Sequence, residues 1–219
     1  MLTQIYEVSS PAEARAIAAI GIDHIGAKVG SGEFTRELSV AMAGRIAAAI
    51  PPPSKFSALF LSSDISLIAK WARELRPPIV HLGASPATLS PENVAILKEA
   101  LPDSLIVRSI PIYGEASVAI AHSYANIADF LLLDSCRPAD QKIGALGVVH
   151  DWSISRRIVA EVGIPVFLAG GLGPENVAEA IRSVRPAGVD SKTKTDQLGS
   201  HNKDLDRVRL FHEAAHAAL

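Results

Sequence analysis

A repeated alternation constrains this chain more than any single residue does. Eight short apolar runs, rich in β-branched residues, recur along its 219 residues, and each is followed by a segment with helical spacing. The runs fall at 2–8, 24–29, 55–62, 79–84, 104–110, 129–135, 165–171 and 187–192. The helical segments fall near 11–20, 38–49, 64–75, 91–100, 114–127, 153–162, 174–184 and 204–217. The runs are continuously apolar rather than alternating, as in a parallel sheet covered on both faces. Eight such units predict a (β/α)8 TIM barrel, one domain over residues 1–219, near the compact end for that architecture. A doubly wound open sheet is the runner-up. Ser10-Pro11, Ser90-Pro91 and Gly173-Pro174, each with an acid in the first turn, mark helix starts. Pro51 to Pro53 and Pro77-Pro78 read as helix stops before strands, not as linkers.

Charge narrows the partners. Lys plus Arg total 21 against 23 Asp plus Glu, and no basic block stands out, so neither nucleic acid nor an anionic membrane is expected. The single cysteine, Cys136, excludes an internal disulfide framework and suits a reducing compartment. With no basic-then-apolar leader and no apolar run long enough to span a bilayer, the expected location is the cytoplasm. The expected assembly is a monomer or a homodimer. No motif calls for a cofactor or a metal.

In a barrel of this kind, chemistry sits where the strands' C-terminal ends meet the following loops. That rule selects Tyr6 and Glu7, Lys28 and the loop to Arg36, His81, Arg108, Asp134, Gly170-Gly171, and Ser191 to Lys194. A charge at the end of an apolar strand needs a partner or an aqueous cavity, because burying it alone is costly. Gly170-Gly171 lets backbone approach a ligand at the seventh strand. The loops after strands seven and eight commonly bind phosphate, so a small phosphorylated substrate is the expected partner. The alternative is that the glycines simply make a tight turn.

One motif points elsewhere. His212-Glu213-Ala214-Ala215-His216 is a literal H-E-x-x-H, a pattern that on a helix can hold zinc. It lies in the eighth helix, on the outer ring of the expected barrel. Alanines around the histidines suit a helix packing one face on the sheet. It is read as a structural helix.

Residues 168–190, LAGGLGPENVAEAIRSVRPAGVD, resemble the A-G-G-L-x-P-x-N-V, helix, G-V-D pattern of phosphoribosylanthranilate isomerases. FLLLDS and GALGVVHDWSISRRI resemble that family's L-L-L-D-[ST] strand and its G-G-T-G-x-x-F-D-W segment. IGIDHIGAK followed by TRELS resembles its G-A-D-x-I-G-F and S-R-Y-V-S. The resemblance spans most of the chain, and its C-terminal motif is the specific part. It implies an Amadori rearrangement of an aminoribose phosphate in tryptophan biosynthesis. Asp134 would then be the general acid that protonates the ring oxygen. Arg36 would hold the anthranilate carboxylate, and Gly170 and Gly171 the phosphate.

Three departures accompany the likeness. The family begins K-I-C-G-I-T, with the cysteine as general base, whereas this chain reads Gln4-Ile5-Tyr6-Glu7-Val8-Ser9, with Tyr6 in the cysteine position. A phenol is a poor base at neutral pH, and Glu7 offers a carboxylate instead. Strand alternation keeps both from facing inward unless the strand has already ended. Cys136 is a remote alternative thiol. The family's Q-L-H-G becomes His81-Leu82-Gly83-Ala84, so His81 is either a base or a hydrogen-bonded wall. D-V-S-S-G-V-E becomes Asp190 to Asp196, adding Lys192 and Lys194. These would reinforce an anion site together with Ser191, supply Schiff-base chemistry, or lie in a solvated loop.

The expected function is thus a phosphoribosylanthranilate isomerase-like enzyme. Its expected catalytic residues are Asp134, Glu7 and His81, and its expected substrate-binding residues Arg36, Arg108, Gly170, Gly171, Ser191 and Lys192. The alternatives are a related barrel isomerase or Schiff-base lyase with another phosphorylated substrate, and an inactive phosphate-ligand-binding homologue.

Overall fold

The computed structural model describes residues 1–137, 142–144 and 147–218. Strand β1 (Leu2–Tyr6) pairs in parallel with β2 (His24–Lys28) on one side and with the last strand on the other. Next come β3 (Lys55–Phe60), β4 (Ile79–Leu82), β5 (Leu105–Ile112) and β6 (Phe130–Arg137), each parallel to its neighbour. A two-residue return, β7 (Lys142–Ile143), runs antiparallel on the end of β6. Then β8 (Val166–Leu168) joins β6 to β9 (Gly188–Ser191), and the ring closes as a barrel of eight parallel strands.

Among the described residues, eight α-helices surround it: α1 (Pro11–Ile20), α2 (Val40–Ala48), α3 (Ile65–Leu75), α4 (Pro91–Ala100), α5 (Ala116–Ala125), α6 (Trp152–Glu161), α7 (Val177–Val184) and α8 (Leu205–His216). Ser10, Ser39, Asp64, Ser90, Asp151 and Asp204 cap six of them by accepting N–H bonds of the first turn. The expected start of α7 at Pro174 is displaced to Val177. Asn176 folds the intervening turn back, accepting the Gly173 N–H at 2.9 Å and donating to the Gly171 carbonyl at 3.1 Å. None of the described helices is long and apolar enough to cross a membrane.

Strand alternation divides the core. Outward residues such as Ile5, Ile25, Ile106 and Leu131 pack with the helices in one large apolar layer. Inward, Ile79, Val107, Leu132, Phe167 and Ala169 form a second, smaller apolar cluster. The buried polar side chains include Gln4, His24, Ser57, His81, Ser109 and Asp190. The seam between the first and last units is polar as well. Thr3 Oγ1 donates to Asp23 at 3.0 Å and accepts from His212 Nδ1 at 3.0 Å. Glu13 accepts the Lys203 N–H at 2.6 Å.

Candidate active site

A cavity of about 810 Å³ opens at the C-terminal ends of the strands. Its floor holds Tyr6, His81, Ser109, Asp134 and Asp190, and its walls Glu7, Lys28, Arg36, Lys192 and Asp196. This is where a barrel of this kind carries chemistry.

Two carboxyl groups meet in the floor. Burial pushes Asp134 up to about 7, against hydrogen bonds from the Ser135 N–H at 2.7 Å and hydroxyl at 3.3 Å. Burial also pushes Asp190 up to about 8, with the Asp134 charge adding to it and the Gln4 amide, 3.1 Å away, opposing. Asp134 therefore exchanges its proton near neutrality, as a general acid requires. Gly144 makes room for it. A Cβ there would stand 2.4 Å from Asp134 Oδ2, and its φ of 73° disfavours any side chain. On the other side of Asp190, Gln4 Oε1 accepts from His24 Nδ1 at 3.3 Å, and burial lowers that imidazole to about 4.

A second chain of hydrogen bonds crosses the floor. Ser57 Oγ lies 2.6 Å from the Tyr6 hydroxyl, which lies 2.7 Å from His81 Nδ1, and His81 Nε2 lies 2.7 Å from Ser109 Oγ. Both imidazole nitrogens are thus occupied. Burial, followed by the nearby Arg108 charge, lowers His81 to about 3, which favours the neutral imidazole in this hydrogen-bonded floor. Burial raises Tyr6 well above 10, against the Ser57 hydrogen bond and with the Asp190 charge adding. Its ring lies where a Cβ on Gly26 would come within 2.0 Å, so the tyrosine occupies space that only a glycine leaves open. Neither group takes up a proton at neutral pH. Tyr6→Phe is accordingly expected to keep kcat within about tenfold of native; a loss of a thousandfold, measured at saturating substrate, would assign the phenol a direct part.

Glu7 stands just beyond the end of β1, with φ 59°. The strand ends one residue earlier than alternation would need, so Tyr6 and Glu7 both reach the cavity. Glu7 is ion-paired with Arg36 and, at 3.2 Å, with Lys28; Lys192 Nζ is 3.9 Å away. Arg36 itself has φ 63°. The other non-glycine residues with positive φ, Arg76 and Arg185, cap the C-termini of α3 and α7, where that conformation is ordinary. At Glu7 and Arg36 it costs about 1–3 kcal/mol each, a cost typical of functional positions. The loop carrying Arg36 is held by Lys28 Nζ on the Thr35 carbonyl at 2.9 Å and by Glu37 on the Gly32 and Phe34 amides. Lys192 and buried Lys203 both pair with Asp196. In this network four cations face two carboxylates, which suits a ligand carrying more than one negative charge.

Known proteins carry the same frame. The family model described as N-(5'-phosphoribosyl)anthranilate (PRA) isomerase matches residues 13–214. This chain belongs to the PRA isomerase family. An N-(5'-phosphoribosyl)anthranilate isomerase of Methanocella arvoryzae is 33% identical over 96% of this chain and 95% of its own. The solved isomerase of Pyrococcus furiosus superposes with a TM-score of 0.80 at 21% identity, covering 99% of each chain. A further solved PRA isomerase, in complex with reduced 1-(o-carboxyphenylamino)-1-deoxyribulose 5-phosphate, gives 0.79 at 23% identity, covering 99% of this chain and all of the other.

Against the family pattern, Asp134, Glu7, His81, Arg36 and Lys192 come together at the cavity. Arg108 does not. It points outward from β5, is fully buried, and donates to the carbonyls of Leu82 and Ala84 at 2.8 Å each, with its guanidinium 4.7 Å above the Tyr124 ring. The expectation that Arg108 binds substrate is corrected, because that side chain braces the β4–α4 loop. Alternation along β5 was the missed signal, since it turns Ser109 inward instead. Gly170 and Gly171, with φ of 84° and 65°, follow the end of β8 and are not among the residues that line the cavity; a Cβ on Gly171 would meet the Val148 backbone at 2.7 Å. Ser191 donates its hydroxyl to the Leu172 carbonyl at 2.7 Å, tying that turn to β9. Lys194 is exposed, and Cys136 lines a neighbouring cavity of about 420 Å³ with Pro111 and Tyr113. His212 and His216 lie on α8, and no group of three potential metal ligands occurs among the described residues. The sequence reading missed Asp190, whose partners Gln4 and Asp134 are distant in the chain, and the nearby pair Asp196 and Lys203, whose burial the sequence does not show.

Proposed function

We propose that this protein isomerises N-(5'-phosphoribosyl)anthranilate to 1-(o-carboxyphenylamino)-1-deoxyribulose 5-phosphate, with Asp134 as general acid and Glu7 as general base. The observation that carries the reading is the pairing of Asp134, held as an acid near neutrality, with Glu7, a carboxylate among cations, across one cavity. Asp134 gives its proton to the ring oxygen as the bond from C1 to that oxygen breaks, and the nitrogen lone pair forms the C1–N double bond. Glu7 then takes the C2 proton. The C2–H electrons form a C1–C2 double bond, and the C1–N π electrons return to nitrogen. Loss of the C2 hydroxyl proton and protonation of C1 complete the ketone.

Arg36 is proposed to hold the substrate's carboxylate. Lys192, Ser191 and the Gly170-Gly171 turn are proposed to hold its phosphate, supported by the positive excess of the network and by the left-handed glycines, whose N–H groups suit an anion. His81 and Tyr6 shape the floor. Substituting Glu7 by Gln is expected to lower kcat roughly 10²–10⁴-fold without unfolding the barrel. Steady-state turnover of phosphoribosylanthranilate tests it, and a near-native kcat in Glu7→Gln would remove Glu7 as the base. The cytoplasmic location expected from a single cysteine belongs to the same proposal.

A further inference from the structure

We infer that the Arg36–Glu7 ion pair is a latch opened by the substrate's own carboxylate, so that the base is released for ligands carrying that group and stays held for those that lack it. This rests on Glu7 being the base.

The argument begins with which donors of Arg36 are used. Its Nη2 is spent on Glu7 Oε2, while its Nε is buried with no hydrogen-bond partner. A carboxylate binds a guanidinium best through two adjacent N–H groups. Nε and Nη2 form such a fork, and Glu7 occupies one prong. An arriving carboxylate would satisfy the orphaned Nε and compete for Nη2, where two negative groups on one cation repel each other. Glu7 has somewhere to stay when Arg36 lets go, because its Oε1 rests 3.2 Å from Lys28 Nζ, and Lys28 is anchored on the Thr35 carbonyl. Lys192 is 3.9 Å from Oε2 but is committed to Asp196 at 2.8 Å. Oε2 already lacks a geometrically sound hydrogen bond.

Both halves of the pair sit on strained backbone, so neither is fixed by local conformational preference. The family pattern K-I-C-G has glycine where this chain has Glu7, which makes the latch a property of this sequence rather than of the barrel. Binding of a carboxylate and retention of Glu7 on Arg36 are then mutually exclusive, and the coupling between them is reciprocal.

Reciprocity supplies the test. Anthranilate itself is the probe, with its affinity measured by calorimetry. Removing Glu7 frees the fork, so Glu7→Gln and Glu7→Gly should each bind anthranilate about tenfold more tightly than native. Glu7→Gly also relieves the positive φ and so guards against a folding defect. Equal or weaker binding in both variants overturns the latch. A second arm uses the substrate analogue made with aniline in place of anthranilate. Arg36→Ala should raise its kcat by about tenfold, since the base is no longer held. An unchanged or lower value means that Arg36 only binds, and overturns the latch even where Glu7→Gln has shown Glu7 to be essential. Full activity in Glu7→Gln would instead strike the base assignment beneath it.

Discussion

Asp134→Asn is expected to lower kcat for phosphoribosylanthranilate roughly 10²–10⁴-fold and yet leave the protein at least as stable as native above neutral pH. The amide keeps an acceptor for the Ser135 N–H but has no proton to give to a leaving ring oxygen. The stability half follows from the direction of the shift. Asp134 is raised from 3.8 to about 7 by burial, so the native state keeps a proton that the unfolded chain loses between about pH 4 and 7. Stability therefore falls as pH rises through that window, and above about 7 the fold carries a buried anion that Asn does not impose. For the same reason native activity should decline as pH passes about 7, where the acid form empties. Kinetics and urea unfolding at pH 6 and pH 8 check both halves. An Asp134→Asn protein with native turnover would sink the acid assignment, and one equally destabilised at both pH values would make Asp134 a structural residue.

Arg108→Ala carries the largest expected effect on stability, about 3–5 kcal/mol. The substitution deletes a fully buried side chain, strands the Leu82 and Ala84 carbonyls, and opens a void beside Tyr124. Because Ala84 and Ser85 line the cavity, the loosened loop should also raise KM, but kcat should fall far less than in Asp134→Asn. Urea unfolding is the measurement. Native stability with a KM raised a hundredfold would return Arg108 to the substrate, against its outward geometry.

Most of the barrel was legible because its strands are mainly apolar runs and its helices announce themselves with caps. Residues 24–29 read as a strand and form β2, and Ser90-Pro91 opens α4 as expected. What was illegible depended on conformation or on distance. No residue-type rule puts a glutamate at positive φ, so the turn that brings Glu7 beside Tyr6 into one cavity could be stated from sequence only as a condition. Asp190 stands in a quoted motif, but its elevated proton affinity depends on burial and on Asp134, 56 positions earlier, against the opposing hydrogen bond from Gln4 across the seam. Lys203 drew no reading from the sequence and is buried against Asp196. Arg108 was misplaced by attending to charge where alternation was the stronger guide.

The Thr3–Asp23–His212 cluster and the Glu13–Lys203 contact bind the first unit of the barrel to the last. They cross the junction of β1 and β9, where no covalent bond runs between neighbours, and add polar ties to the parallel ladder there. The order of segments along the polypeptide is therefore separable from the architecture. A circularly permuted chain, with its original ends linked and a new opening cut in an exposed loop far from the cavity, would bring the same carboxyl groups and cations to the same place.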